Sequence, residues 1–256
     1  MASIAFNAVG LRLGAYDAIR DLSFEVPHGQ FVAIVGPTGC GKTSLLNLAA
    51  GLIKPSLGTV WSGGREISSI NRDAVYMFQQ DALLPWKTAL ENVMLGPILR
   101  GKAKNLAAAD AQLWLERVGL RGCDARYPSQ LSGGQRKRVA MAQALINRPP
   151  ILLMDESFSA LDVQTRALME NELLELWQEI GATVLFVTHD LEEAIAMADR
   201  IMLFTAGPQA RLKADYPVPL PRPRNVAEAR FIPGFSEIYE MVWRQLKEEV
   251  MAAYGG

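Results

Sequence analysis

Residues 36–43 read GPTGCGKT, a run of the form G-x-x-x-x-G-K-S/T, directly after the apolar stretch FVAIV and before the helical pattern TSLLNLAAG. Such a loop suits a chain of phosphates. Gly36, Gly39 and Gly41 let the loop's backbone N–H groups turn inward around phosphate oxygens, in a run that holds Thr38, Cys40, Ser44 and the N–H-less Pro37, and the helix that follows aims its positive end at them. Lys42 reaches the β and γ phosphates, and Thr43 supplies a hydroxyl to Mg²⁺. Cys40 has no His beside it in sequence to activate a thiol, so a structural role is expected for it.

A second chemical element is ILLMDE at 151–156, an apolar run ending in two acids. If the run is a strand, Asp155 and Glu156 stand at the carboxyl edge of a sheet, where α/β sheets bind ligands. Asp155 is suited to hold Mg²⁺, and Glu156 is then free to polarise a water against the γ-phosphate. Acids after a strand also cap helices or line solvated turns. A phosphate loop in the same chain shifts the balance, because its metal needs a carboxylate on a neighbouring strand.

The elements that must position these residues are legible as apolar runs. FVAIVG at 31–36, ILLM at 151–154, TVLFVT at 183–188 and RIMLF at 200–204 are apolar on both faces and read as buried strands of a parallel sheet. Helical patterns lie between them: Leu173, Leu176, Trp177 and Ile180 share a face, with Gly181 where a C-terminal cap would fall. SIAFNAV and LSFEV, in the first 26 residues, read as antiparallel strands. From about Pro85 to Pro150 the pattern turns helical, clearest in NLAAADAQLWLERVGL and GGQRKRVAMAQALI. PVPLPRPR at 217–224 predicts an extended connector without a regular ladder. Beyond it Phe235, Ile238, Tyr239, Val242, Leu246 and Val250 fall on one face of a terminal helix, expected to pack on its own protein.

The composition agrees with a folded α/β domain of 256 residues, 50% hydrophobic and 21% charged. Lys plus Arg number 26 against 27 Asp plus Glu, so no net field favours nucleic acid, which is not expected as a partner. Two cysteines, Cys40 and Cys123, are too few for a disulfide framework. No apolar run approaches the length of a membrane span, and a soluble chain in a reducing compartment is expected.

LSGGQRKRV at 131–139, whose LSGGQ ends 16 residues before the ILLMDE strand begins, is the most specific string in the chain. With it the sequence resembles an ATP-binding cassette (ABC) ATPase, with the motifs in family order to about residue 205. Read on its own chemistry, Ser132 offers a hydroxyl, Gly133 and Gly134 expose N–H groups, and Gln135 stands in the first turn of a helix, a second anion site. The resemblance implies a P-loop NTPase fold of the ABC type: a RecA-like parallel-sheet core with an antiparallel β subdomain (1–84 and 151–215), an α-helical subdomain (85–150) and a C-terminal connector and helix (216–256). It implies ATP and Mg²⁺ as cofactors. It also implies a head-to-tail dimer in which the Ser132 site of one copy caps the γ-phosphate held by the other.

The same resemblance assigns three more positions. Gln79, in MFQQ, matches the Gln that touches Mg²⁺ and the attacking water. Asp162, in SALD, matches a loop that crosses the dimer interface, and His189, after TVLFVT, matches a residue that hydrogen-bonds the γ-phosphate. A lone His after a strand is usually structural, and the neighbouring motifs reverse that reading. Three departures stand out. The aromatic residue that stacks on adenine is replaced by Leu13 before Gly14, leaving Tyr16 or Leu13 to meet the base, with Tyr16 preferred. Ser157 follows Glu156 where Pro is usual, and Gln143 stands where Arg is usual.

ALLPW at 82–86 and PVPLPRPR together look like the nitrate, sulfonate and taurine importer subfamily. That implies transmembrane permease subunits as partners, a periplasmic solute-binding protein as an indirect one, and a peripheral place on the cytoplasmic face of the inner membrane. Leu84, Pro85 and Trp86 are candidate permease contacts, or else Trp86 packs on its own helical insertion. The competing class, a soluble cassette ATPase acting on nucleic acid or ribosomes, calls for a coiled-coil arm or basic surface. Residues 80–131 are too short for the first and the charge balance argues against the second. A regulatory module without turnover would have no need of Lys42, Asp155, Glu156 and His189 together.

Overall fold

The computed structural model describes residues 2–255. The chain forms two compact units, one from the residues up to 75 with 150–156 and 181 onward, the other from 76–149 with 157–180.

In the first unit, β1 (Ala2–Leu13) and β2 (Tyr16–Pro27) form a long antiparallel pair. Their sheet runs in the order β2-β1-β4-β5, with β4 at Leu57–Ser62 and β5 at Arg65–Glu66. β1 and β2 are longer than SIAFNAV and LSFEV, and β4 and β5 carry too little apolar alternation to be read from sequence. A second sheet contains β3 (Phe31–Val35), β6 (Ala74–Met77), β7 (Ile151–Asp155), β8 (Thr183–Val187), β9 (Arg200–Phe204) and β10 (Leu212–Pro217), ordered β10-β9-β3-β8-β7-β6. β9, β3, β8 and β7 pair in parallel, matching the four apolar runs.

β10 joins this parallel core at its edge, antiparallel to β9. One expectation is corrected: the connector begins inside a ladder, with Pro217 opposite Arg200, and the extended run proper starts at Val218. Proline is tolerated there because it ends an edge strand, where its missing N–H forfeits no central ladder bond.

Central position explains the double-sided apolarity. Phe31, Ile34, Phe186 and Phe204 are fully buried, each worth roughly 1.5–3 kcal/mol in area removed from water. α1 (Lys42–Ala49) packs on β7 and β8, and α6 (Leu191–Met197) on β3 and β9. The connector is fixed by two arginines. Arg224 is buried and donates to the carbonyls of Ile195, Ala198 and Leu220 at 3.1, 2.6 and 2.9 Å, collecting acceptors that the end of α6 and the proline-rich run cannot satisfy internally. Arg222 pairs with Asp199 at 2.7 Å, and Asp199 also accepts from the Phe31 amide at 3.0 Å. The terminal helix α7 (Phe235–Gly255) buries Phe235, Ile238, Val242 and Leu246 and packs on α6, as its apolar stripe predicts.

The second unit holds α2 (Ala89–Leu99), α3 (Lys104–Arg117), α4 (Gly133–Leu145) and α5 (Val163–Ile180). α2 starts with a capping box in which Thr88 accepts from the Glu91 amide and Glu91 accepts from the Thr88 amide. α5 ends before Gly181, whose φ of 71° is the left-handed cap expected from sequence. Among the described residues no helix is long and apolar enough to cross a membrane.

Candidate nucleotide site

β3 ends at Val35 and the chain turns through 36–41 into α1, which fixes the phosphate loop between a rigid strand and a helix start. Gly41 occupies the N-cap position with φ 96°, a left-handed conformation that side chains rarely adopt, and no side chain caps the helix. The first amides of α1 therefore have no side-chain acceptor and point out of the helix end as donors. Lys42 is buried and its ammonium donates to the carbonyls of Gly36 and Pro37, both at 2.8 Å. Thr38, Gly39 and Thr43 are exposed and Ser44 is half-buried, while Pro37 and Cys40 face inward.

Burial pushes the Cys40 thiol above its usual range, with the Lys42 ammonium working against the rise. A thiol kept protonated in this way is no nucleophile, in line with the structural role expected for it.

Thr43 Oγ1 lies 3.3 Å from Asp155 Oδ1. α1 and β7 are in contact, so the loop hydroxyl and the strand-end carboxylate meet at the carboxyl edge of the sheet. A hydroxyl and a carboxylate are hard oxygen donors, and the pair suits Mg²⁺ with its remaining positions left for phosphate and water.

Glu156, the next residue, has φ 44°, a left-handed conformation costing of order 1–3 kcal/mol for a non-glycine residue. Its amide donates to the Val187 carbonyl at 2.9 Å, so β8 holds the strained turn. The turn lets successive acids take different directions: Asp155 meets Thr43, and Glu156 Oε1 lies 3.3 Å from His189 Nδ1. The His189 side chain is 60% exposed and that of Glu156 27%, so both reach solvent.

His189 is positioned by residues that the sequence reading did not single out. Asp190 caps α6 by accepting from the amides of Glu192 and Glu193 at 2.9 and 3.2 Å. Its own amide donates to Thr188 Oγ1 at 3.0 Å, and Thr188 donates in turn to the buried Glu193 carboxylate. The signal was present as an Asp followed by two Glu at a helix start.

Tyr16 is exposed, as is Leu13. A Cβ built on Gly207 would lie 2.7 Å from the Tyr16 hydroxyl and 3.4 Å from the Gly39 carbonyl, so only a glycine allows Tyr16 to approach the phosphate loop this closely.

In the second unit Gln79 is exposed, just beyond β6, with Nε2 3.4 Å from Ser159 Oγ. Ser132 caps α4: its Oγ accepts from the Gln135 amide at 3.2 Å and its amide donates to Gln135 Oε1 at 3.0 Å. The Ser132 hydroxyl proton is left to donate, and the amides of Gly133 and Gly134 sit at the positive end of the helix. Asp162 accepts from the Thr165 amide at 3.0 Å, which holds its carboxyl below the usual range and starts α5. Ser157 is buried and its hydroxyl donates to the Met77 carbonyl at 3.1 Å. Gln143 is half-buried on α4, and Trp86 is 69% exposed, so packing of that indole on its own insertion does not hold.

A family model described as ABC transporter matches residues 19–159, more than half of the chain. The chain is 44% identical over 242 residues to the aliphatic sulfonates import ATP-binding protein SsuB 2 of Pseudomonas aeruginosa, covering 94% of this chain and 85% of that protein. It is 42% identical over 246 residues to SsuB of Escherichia coli, covering 96% and 93%. Among solved structures, a dimeric ATP-binding cassette in a post-hydrolysis state, bound to ADP and Pi, matches with a TM-score of 0.73 at 31% identity over 84% of this chain and 98% of that one. A phosphate loop, a strand-end acid pair and a Ser-Gly-Gly helix start thus occur together in a chain that matches such proteins nearly end to end, and the chain belongs to the ABC transporter family.

Proposed function

We propose that this chain is the ATP-hydrolysing subunit of an importer, working as a head-to-tail dimer to drive uptake of a small anionic solute of the sulfonate, taurine or nitrate kind through a separate permease. The Glu156–His189 contact beside the Thr43–Asp155 pair carries the reading: a base and a metal-suited oxygen pair stand at one strand end.

The amides at the start of α1 and the Lys42 ammonium bind the phosphates by charge and by directed N–H donors. Thr43 and Asp155 would hold Mg²⁺, which would neutralise charge on the phosphate oxygens, and Gln79 keeps the role toward ion and water that the family resemblance gives it. Glu156 takes a proton from the attacking water, and His189 fixes the carboxylate's direction and donates to the γ-phosphate. Tyr16 meets the adenine. Ser132, Gly133, Gly134 and Gln135 meet the phosphate held by a second copy, and Asp162 orients that copy's site. Leu84, Pro85 and Trp86 face the permease, and the solute reaches this chain only through the permease's change of shape. Such a subunit lies on the cytoplasmic face of the membrane.

Reconstitution tests the reading. With permease and solute-binding protein in liposomes, an aliphatic sulfonate presented by the binding protein is expected to raise ATP hydrolysis above its basal rate, with taurine and nitrate as comparisons. Basal hydrolysis indifferent to every solute would overturn the importer reading in favour of a soluble ATPase.

A further inference from the structure

Lys137 is a charged residue that the proposed chemistry does not use, and its side chain is only 4% exposed. A buried ammonium is costly unless it is paired and hydrogen-bonded. It meets Asp81 Oδ1 at 3.0 Å and donates to the Gln79 carbonyl at 3.1 Å. The other oxygen of the same carboxylate, Asp81 Oδ2, lies 3.4 Å from Arg136 Nε. Arg136 in turn donates to the Leu131 carbonyl at 2.7 Å. Successive residues of a helix point in different directions, so two long side chains reaching one carboxylate grip it from two sides.

These contacts form an unbroken chain within the second unit. It runs from the Gln79 peptide through Lys137, Asp81 and Arg136 to Leu131, whose neighbour Ser132 caps α4. Four of its links are charge-assisted, and the Lys137 end is shielded from water, where such bonds are hardest to replace.

We propose that Asp81 is a positioning residue that ties the Gln79 segment to the Ser132 turn, so that the part of a cassette facing its own nucleotide and the part facing its partner's nucleotide move together. The inference rests on the roles given above to Gln79 and Ser132. A shift of the Gln79 backbone on nucleotide binding pulls on Lys137 and, through the shared carboxylate, on the turn that caps the second site. Occupation of one site then biases the other, which is a coupling between sites in the thermodynamic sense.

The test uses the full chain with Asp81→Asn, Lys137→Met and both together. Three readings are taken: affinity of a fluorescent ATP analogue, maximal phosphate release, and the Hill coefficient for ATP. Each single variant is expected to lower maximal release about tenfold and to bring the Hill coefficient from above one toward one, with the analogue's affinity for its first site unchanged. The double variant is expected to be no worse than either single one, because all three break one linkage. Lys137→Arg, which keeps charge and reach, is expected to restore cooperativity. Lys137→Met leaves no buried charge unpaired and keeps the test alive if Asp81→Asn unfolds. Unchanged Hill coefficients in folded variants, or losses that multiply in the double variant, would overturn the proposal. A parent that hydrolyses ATP in a Glu156-dependent way beside indifferent Asp81 variants removes this inference alone. A parent without hydrolysis removes the reading beneath it.

Discussion

Replacing Glu156 by Gln separates chemistry from architecture at this site. The amide has the size of the carboxylate, keeps the left-handed backbone at φ 44° and leaves the backbone hydrogen bond to the Val187 carbonyl intact. Its Oε1 can still accept from the imidazole now 3.3 Å away, so the His189 contact survives. Thr43 and Asp155 are untouched, and binding of nucleotide should change little. What is lost is the ability to take a proton from water, since an amide oxygen is a very weak base. A positioned general base contributes about 10²- to 10⁴-fold, which corresponds to roughly 3–5 kcal/mol of barrier. Phosphate release at saturating ATP and Mg²⁺ should fall by that factor with the apparent affinity for ATP nearly constant, the signature of a group acting in the transition state. ATP that binds without being hydrolysed should also hold the dimer together, visible as a shift to twice the mass in light scattering. A folded variant that turns over at the parental rate would refute the base assignment. The strained turn at Glu156 would then serve only to direct Asp155.

Three further predictions rest on other parts of the structure. Ser157→Ala removes the hydroxyl from the Met77 carbonyl in a buried turn and should cost about 1–3 kcal/mol in chemical denaturation while leaving far more activity than Glu156→Gln. Glu249 ties α7 down by pairing with Lys213 at 2.8 Å and accepting from the Ala206 amide at 2.7 Å; burial works to raise its pKa, and these two partners outweigh it and hold it low. A carboxyl with a depressed pKa adds stability above its unfolded value near 4.5 that is lost as pH falls through the folded one. Glu249→Gln should therefore be less stable than the parent by about 1 kcal/mol at pH 7 and equal to it once both are acidified below that window, with unfolding curves at the two pH values as the check. Cys40, buried and held above its ordinary range, stays a neutral thiol through neutral pH, so iodoacetamide at pH 8 should label it only after denaturation.

Much of the site was legible because phosphate chemistry is written in short contiguous runs. A glycine loop between a strand and a helix, two acids at a strand end and a Ser-Gly-Gly helix start each carry their geometry locally, through backbone rules that need no distant partner. The four central strands were legible for a related reason: a strand covered on both faces must be apolar on both. β5, β6 and β10 were not, because edge strands answer to their neighbours and tolerate polar residues and, at Pro217, a proline; β4, though inside its sheet, alternates too weakly to be read.

What the tertiary structure alone decided is which residues of like type share a task. Sequence placed Asp155 and Glu156 side by side, and only the left-handed turn held by Val187 sends one to Thr43 and the other to His189. Sequence set Tyr16 and Leu13 as rivals; the fold leaves both exposed and sets Gly207 beside the Tyr16 hydroxyl and the phosphate loop. The carboxylate of Asp81 reads from sequence as one more surface acid; it becomes a link because α4 arrives over 50 residues later with Arg136 and Lys137 to meet it. Local chemistry depends on covalent order and is therefore written in the chain, whereas pairings across such distances depend on which elements the hydrophobic core brings together.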